Sequence, residues 1–212
     1  MTARTSPRSP LAMRLALTTA ALALALAGCA KPPPPRAWLS LPTLPVAPER
    51  SSPAGALSAD AVTWIVQRVR VPEYLQSTQV RFRDAPHVLA EWPNVRWAER
   101  LEVNLGRHLS QHLSAAMPPG TVCEAPCRPS ATPGSVWVSY QALDYVRAQR
   151  EVVALVQWER VVPGQPPVGL QWQLREPVEA DSPSGQADAM GRLNQALARR
   201  IAATLTGAQA PN

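Results

Sequence analysis

Aromatic and charged residues are scarce in this chain, and cysteines are few. Aromatic residues make up 5% of the 212 residues, charged residues make up 17%, and there are three cysteines. Three cysteines cannot form the set of bridges that stabilises small secreted domains. The serines form no Gly-x-Ser-x-Gly motif, and the sequence has no glycine-rich phosphate loop. These absences argue against a disulfide-framed miniprotein, a serine hydrolase and a nucleotide-binding protein, so we predict no enzyme and no cofactor.

Positive charge is less concentrated than the formal net charge of +6 suggests. Arg4, Arg8 and Arg14 lie in the first 28 residues, which contain no acidic residue, and without these three the charge is +3. The remaining basic residues are spread along the chain, whereas binding to a polyanion needs a concentrated basic patch. We therefore expect no nucleic-acid partner. The length fits one domain with a core, accompanied by additional segments.

Residues 1–28 have the pattern of a bacterial export signal. The three arginines precede an uncharged run at residues 15–28, which is shorter than the roughly 20 apolar residues of a transmembrane helix. The Leu-Ala-Gly-Cys motif that ends at Cys29 resembles the lipobox of bacterial lipoproteins, in which the cysteine thiol is acylated. The alternative is an ordinary secretory signal that is cleaved after an Ala-x-Ala pattern. We predict a lipoprotein signal peptide at residues 1–28 and lipidation, for example by palmitate, at Cys29.

A lipidated Cys29 holds the mature chain on a membrane without spanning it, because each buried methylene adds about 0.8 kcal/mol to anchoring. Residues 29–56 are rich in proline, which favours extended backbone, and we predict a tether there with a short edge strand at residues 37–41. Ala30 stands where lipoproteins retained at the inner membrane of enteric bacteria usually carry aspartate. Resemblance to that sorting rule implies the outer membrane and its periplasmic face.

Residues 57–207 carry the alternation expected of a folded domain, and residues 208–212 are predicted to be a disordered tail. Residues 62–71 are rich in β-branched side chains, and residues 79–83 alternate between apolar and charged side chains, so both segments are predicted strands. Three further strands are predicted around residues 136–140, 152–158 and 170–174. The short connections between these three predict an antiparallel meander.

Two amphipathic helices are predicted from apolar residues at helical spacing. After Pro93 the apolar residues recur at every fourth position, at Trp97, Leu101, Leu105, Leu109 and Leu113. Ser182 followed by Pro183 begins a second apolar stripe, and Gly207 ends it. The predicted order is βββαβββα. We therefore predict a single α+β domain with a mainly antiparallel sheet and both helices packed on it.

Two pairs of side chains have spacings that could carry chemistry. His108 and His112 are four residues apart, as in zinc proteases, but that motif needs a glutamate directly after the first histidine and this chain has Leu109. We interpret both histidines as structural and predict no metal site. Cys123 and Cys127 could form half of a metal site or remain free thiols. In an oxidising periplasm a disulfide between them is the favoured hypothesis.

Several segments resemble the PqiC/YmbA-type auxiliary lipoproteins of ABC-type transport systems. They are Val71-Pro72-Glu73-Tyr74-Leu75, Gln79-Val80-Arg81-Phe82-Arg83 and Arg96-Trp97-Ala98-Glu99-Arg100-Leu101. With the lipobox, the tether and its edge strand, the resemblance extends from residue 29 to about residue 205. Two features depart from the family pattern: Gln76-Ser77-Thr78 stands where Asp-Arg-Pro is common, and the loop between the two later cysteines is not a family feature.

The resemblance implies a non-catalytic subunit of an ABC-type or MCE lipid transport system. In that role the lipoprotein docks the tube of MCE domains at the outer membrane, supports envelope integrity and forms a homo-oligomer. Pro72 keeps the segment that contains Tyr74 and Leu75 out of the sheet. Apolar side chains in such a segment either pack in the core or contact a partner. The candidate interface residues are Pro72, Glu73, Tyr74, Leu75, Arg96 and Trp97.

The alternative function is an outer-membrane lipoprotein that activates or scaffolds a cell-wall synthesis complex. Such a protein shares the lipobox, the proline-rich tether and a small α+β domain. Reaching through the peptidoglycan requires a spacer of many tens of residues, whereas about 30 residues separate Cys29 from Val62. The short tether therefore favours the transport role.

Overall fold

Eight strands and two helices make up the part of the chain that the structure, a computed structural model, describes: residues 34–42, 62–127 and 132–207. These elements belong to the unit that begins at Arg36. The strands are β1 (Ala37–Leu39), β2 (Val62–Val66), β3 (Gln79–Ala85), β4 (Val88–Trp97), β5 (Val122–Glu124), β6 (Thr132–Val146), β7 (Glu151–Val161) and β8 (Val168–Pro177), and the helices are α1 (Leu101–Ala116) and α2 (Pro183–Leu205).

The eight strands form one mixed sheet in which β6 is the central strand. Along one edge β6 pairs with β7 in antiparallel orientation, and β7 pairs in the same way with β8. The other edge of β6 has two neighbours: its beginning pairs in parallel with β2, and its last residue, Val146, pairs with Arg83 of β3. β2 continues to β5, and β3 continues through β4 to β1. Because one edge of β6 serves two strands, the sheet divides there and curls.

This architecture confirms the predicted α+β class and the antiparallel meander of the last three strands. The predicted element order holds with two additions, β4 and β5, which the sequence analysis missed. The sheet is also more mixed than predicted, because β1 with β4, β2 with β5, β2 with β6 and β3 with β6 all pair in parallel.

The prediction that the first helix includes Trp97 was wrong. Trp97 is the last residue of β4, and α1 begins at Leu101. β4 contains Pro93, and the next residue, Asn94, has a positive φ of 57°, at a place where the register between β3 and β4 shifts. Such an irregularity allows a proline within a strand. Trp97 is 1% exposed and packs in the core that α1 also covers, so its four-residue distance from Leu101 imitates helical spacing.

Both helices bury the apolar stripes that predicted them. Leu101, Leu105, Leu109 and Leu113 of α1 are at most 1% exposed, as are Met190, Leu193, Leu197 and Ile201 of α2. The Ser182 hydroxyl accepts a hydrogen bond from the Gly185 N–H at 3.1 Å, which caps α2, and Pro183 occupies the first turn. Gly207 has a φ of 72° just past the end of α2, a conformation that favours glycine.

The first strand attaches the proline-rich segment to the sheet. β1 ends at Leu39, two residues earlier than predicted, and pairs in parallel with residues 95–97 of β4. The Ala98 N–H donates to the Leu39 carbonyl at 2.7 Å, and Leu41 is 2% exposed in the core. The predicted signal peptide, Cys29, the boundary at residue 57 and the tail at residues 208–212 lie outside the described residues.

Candidate functional site

Pro72 to Leu75 are the first part of the candidate interface. Glu73–Leu75 form one turn of 3-10 helix before β3, and Pro72 precedes this turn. Leu75 is 3% exposed and belongs to the core, whereas Glu73 is exposed and Pro72 and Tyr74 are half-buried. Of the two alternatives for apolar side chains in this segment, Leu75 therefore returns to the core. Only Pro72, Glu73 and Tyr74 present surface to a partner.

Tyr74 is held on the sheet by a polar cluster that the sequence did not reveal. Its hydroxyl donates to Asp144 Oδ1 at 3.0 Å, and Arg83 donates to Asp144 Oδ2 through Nε at 3.1 Å and Nη2 at 2.9 Å. Burial, together with the Asp144 carboxylate, raises the pKa of Tyr74 to about 12. Tyr74 is therefore a neutral hydrogen-bond donor at physiological pH, and it fixes the turn to the junction of β3 and β6.

Arg81 holds the same turn from the β3 side. Its Nη1 donates to the Tyr74 carbonyl at 2.5 Å, while its Nε donates to Glu91 of β4 at 3.1 Å. The backbone and the side chain of Tyr74 are thus both fixed. Glu73 makes no ion pair within the described part of the chain, and its carboxylate is free to meet a partner.

Arg96 and Trp97, the second part of the candidate interface, lie at the end of β4 rather than at a helix start. The Trp97 side chain is in the core and is not accessible to a partner, which corrects its place in the candidate interface. Arg96 is half-buried and pairs with Gln79 of β3 and with Trp38 of β1, whose indole is 60% exposed. The Trp97 N–H donates to the Thr78 carbonyl at 2.7 Å, so the structure brings both motifs to the same end of the β3–β4 hairpin. We call the accessible parts of Pro72, Glu73, Tyr74 and Arg96 the candidate docking surface.

A buried chain of hydrogen bonds connects β6, α2 and α1. The Tyr140 hydroxyl donates to Asn194 Oδ1 at 2.8 Å, and Asn194 Nδ2 donates to the Leu105 carbonyl at 3.0 Å. The same Nδ2 lies 3.2 Å from His108 Nδ1, and His108 Nε2 lies 3.2 Å from His112 Nε2. His108 and His112 are 5% and 8% exposed.

The proton positions in this chain follow from its geometry. The Leu105 carbonyl can only accept, so the nitrogen of the Asn194 amide must face it, and the same nitrogen donates to His108 Nδ1. Neutral His108 therefore carries its proton on Nε2, where it donates to His112. Burial, with a smaller contribution from His112, lowers the pKa of His108 to about 4, and burial also lowers the pKa of His112.

These protonation states support the structural interpretation of the two histidines. In this arrangement both ring nitrogens of His108 are engaged in hydrogen bonds within the protein. Among the described residues no group of three histidine, cysteine or carboxylate side chains is placed to hold a metal ion.

Cys123 and Cys127 are joined by a disulfide at the end of β5. Cys123 pairs with Ile65 of β2, so the bridge closes the loop that leaves this short parallel strand. Oxidation of this pair in the cell envelope remains a prediction, as does lipidation of Cys29.

Neither α1 nor α2 combines the length and the apolar composition that a membrane-crossing helix needs.

The structure defines the chain as a single α+β domain with two helices and a curled mixed sheet. Residues 43–202 match the family described as the ABC-type transport auxiliary lipoprotein component, and the chain belongs to this family. The match confirms the resemblance found in the sequence. The protein is thus a membrane-associated lipoprotein of the cell envelope that works with partners in a transport complex, and its family is not a known enzyme family.

Solved structures share the fold at low sequence identity. An uncharacterized protein is 18% identical, with a TM-score of 0.66 over 81% of this chain and 99% of that one. A Xanthomonas campestris protein of the DUF330 family is 11% identical, with a TM-score of 0.56 over 82% of this chain and 94% of that one. No curated protein matches the chain.

Proposed function

We propose that this protein is a non-catalytic lipoprotein at the periplasmic face of the outer membrane, where it docks the MCE-domain tube of a lipid transport system and supports envelope integrity. The observation that carries the proposal is the position of β1. This strand follows the lipid anchor in sequence and pairs with β4 at residues 95–97, next to Arg96 of the candidate docking surface. The strand that follows the anchor and the candidate docking surface therefore lie at the same end of the β3–β4 hairpin.

The reach of the tether supports this role over the alternative. Because β1 begins at Ala37, only seven residues lie between it and Cys29. At about 3 Å per residue, this segment spans at most roughly 25 Å. The domain is therefore kept close to the membrane, as docking requires, whereas scaffolding a cell-wall synthesis complex beyond the peptidoglycan requires a much longer spacer.

The proposal is tested by reversing two charges of the candidate docking surface and measuring binding to the tube. Glu73→Arg combined with Arg96→Glu changes accessible charges and leaves Leu75 and Trp97 in place. We expect the full-length variant to keep its melting temperature and to lose co-purification with the MCE protein of its own transport system. Glu179→Arg is the matched control, because the Glu179 side chain is 85% exposed and contacts Arg192 rather than a residue of this surface. Unchanged co-purification by the double variant would contradict the docking role.

Two simpler observations test the anchor and the transport system. Cys29→Ala should abolish labelling with radioactive palmitate, and Ala30→Asp should move the protein from the outer to the inner membrane fraction. Genes for a permease, an ATPase and an MCE protein beside the gene for this chain would favour transport. Neighbouring genes for cell-wall synthesis would favour the alternative.

A further inference from the structure

A pocket of about 340 Å³ lies between the segment that follows β2 and the start of α1. Its walls carry three arginines and one carboxylate, at Arg68, Arg70, Arg100 and Glu102. Three guanidinium groups and one carboxylate leave a net charge of +2. Arg68 and Glu102 are 34 residues apart in the sequence, so the sequence alone shows no basic cluster here. The volume is within the range of about 300–1,000 Å³ that is typical of small-molecule sites.

Two of the arginines lie side by side because of the extended backbone that carries them. Arg70 pairs in parallel with Ser139 of β6, and Val69 and Val71 on either side of it are buried in the core. Successive side chains of an extended segment point to opposite sides. Arg68 and Arg70 therefore both point away from the core, and both are exposed.

Glu102 is the carboxylate of the pocket, and it neutralises only part of the positive charge. It is 4% exposed, and its Oε1 contacts Arg68 Nη2 at 3.3 Å and also Arg100 Nη2. Its Oε2 is buried and has no hydrogen-bond partner among the described residues. One carboxylate oxygen thus serves two guanidinium groups, each of which has several N–H donors. Most donors of Arg68 and Arg100 therefore have no acceptor within the described part of the chain.

Arg70 is held in place without an anion. Its Cζ lies 5.9 Å from the centroid of the Trp137 ring, a cation–π contact. In residues 34–42, 62–127 and 132–207, no carboxylate forms an ion pair with Arg70. A guanidinium group that stacks on a ring keeps the N–H donors at its edge available. Arg70 therefore presents an oriented and unneutralised cation to the pocket.

We propose that this pocket binds a phosphate group through Arg68, Arg70 and Arg100. Guanidinium groups bind phosphate oxygens through paired, charge-assisted hydrogen bonds. A tetrahedral phosphate presents oxygens to guanidinium groups on different walls of a pocket, whereas the two oxygens of a carboxylate lie in one plane.

Two sources supply this chemistry, a phospholipid headgroup and inorganic phosphate. Val71 on the pocket wall directly precedes Pro72 of the candidate docking surface. The headgroup is therefore the expected source, an expectation that rests on the proposed function in lipid transport, whereas binding of the phosphate group itself does not.

Phosphorus-31 NMR of the full-length protein in an uncharged detergent tests the site. The probes are inorganic phosphate and glycerophosphoglycerol, which is the headgroup of phosphatidylglycerol without its acyl chains. We expect the wild type to broaden the probe signal and Arg70→Gln to raise the Kd about tenfold. Arg68→Gln combined with Arg70→Gln should abolish binding, while Arg100 still pairs with Glu102 and preserves the melting temperature. Arg199→Gln is the matched control, since Arg199 is an exposed arginine of α2 that does not line the pocket.

The two probes distinguish the sources of the phosphate. Binding of glycerophosphoglycerol that is lost in the double variant supports the site with a lipid headgroup as its ligand. Binding of inorganic phosphate alone, lost in the same variant, supports the site with the free ion as its ligand. A wild type that binds neither probe, or a double variant that binds as the wild type does, would overturn the proposal. Because the measurement contains no transport partner, its failure would leave the docking role unaffected.

Discussion

At the scale of single residues, the buried hydrogen bonds between Tyr140 and His112 explain how polar side chains are accommodated between the helices. Asn194 is fully buried, yet its oxygen accepts from Tyr140 and its nitrogen donates to the Leu105 carbonyl and to His108. Buried polar groups that are paired in this way fix one packing arrangement, whereas an unpaired one costs about 1–3 kcal/mol. We infer that this chain sets the register of α1 against α2.

The same chain predicts how stability depends on pH. The folded-state pKa of His108, about 4, lies below its ordinary value of 6.5, so the folded state favours the neutral ring. The stabilisation is present above pH 6.5 and is lost as pH falls toward about 4, because the unfolded chain binds the proton first. We expect the free energy of unfolding, measured in urea, to fall by roughly 2–4 kcal/mol across this window from His108.

His108→Asn separates this contribution from that of the carboxylates, which titrate in an overlapping range. The asparagine oxygen can still accept from Asn194, but it does not titrate. The variant should therefore be less stable at neutral pH, because the ring leaves a cavity, and its stability should depend less on pH. An equally steep loss in both proteins would show that His108 does not contribute.

A second prediction at this scale concerns the turn before β3. Leu75→Ser should lower the free energy of unfolding by roughly 2–5 kcal/mol, because Leu75 is 3% exposed in the core. Tyr74→Phe removes only the hydrogen bond to Asp144 and should cost about 1 kcal/mol. Urea unfolding of the two variants checks this ranking. Equal effects would mean that Leu75 is not part of the core.

At the scale of secondary-structure elements, the start of α2 depends on a close approach of two backbone segments. A Cβ added at Gly185 would lie 2.1 Å from the Ala180 carbonyl oxygen, which is backbone and cannot move aside easily. We expect Gly185→Ala to destabilise the domain by several kcal/mol, despite the better helix propensity of alanine. Ser182→Ala should cost about 1 kcal/mol through loss of the cap. Thermal unfolding measures both, with Asp188→Ala as the control at an exposed position one turn later. A wild-type melting temperature for Gly185→Ala would refute the steric argument.

The elements that the sequence predicted are those whose signal is local. The apolar stripe of α1, the Ser182-Pro183 start of α2 and the alternation in β6, β7 and β8 all lie within single segments, and the structure confirms them. β4 was missed because Pro93 interrupts its pattern, and β5 because it has only three residues. The parallel pairings of β2 with β5 and β6 depend on residues far apart in sequence, for which one sequence carries no pattern.

The candidate docking surface was also only partly predictable from the sequence. The sequence motifs located the turn at Pro72 and the end of β4 at Trp97, but not which of their side chains are accessible. Leu75 and Trp97 are core residues because each is buried in the shared hydrophobic cluster, which depends on tertiary packing. Asp144, which holds Tyr74, is 70 residues away in the sequence and could not be inferred from it.

At the scale of the whole molecule, the structure shows that part of the proline-rich segment belongs to the folded domain. The family match begins at residue 43, yet β1 and Leu41 already belong to the sheet and the core. Pro42 is also close to α2, since a Cβ added at Gly191 would lie 2.9 Å from Pro42 Cδ. The proposed lipid anchor on Cys29 would therefore act on the domain through β1, which pairs with the hairpin that carries the candidate docking surface.

This attachment predicts different stabilities for two shortened chains that both lack Cys29. A chain that begins at Arg36 keeps β1 and should unfold like the full-length protein. A chain that begins at Thr43 loses β1 and the buried Leu41 and leaves residues 95–97 of β4 without their parallel partner strand, which should cost roughly 3–5 kcal/mol and lower the melting temperature by about 10 °C. Leu41→Ala in the longer chain should account for roughly half of that loss, because the remainder comes from the strand pairing. Equal melting temperatures for the two chains would mean that β1 and Leu41 contribute little to the stability of the domain.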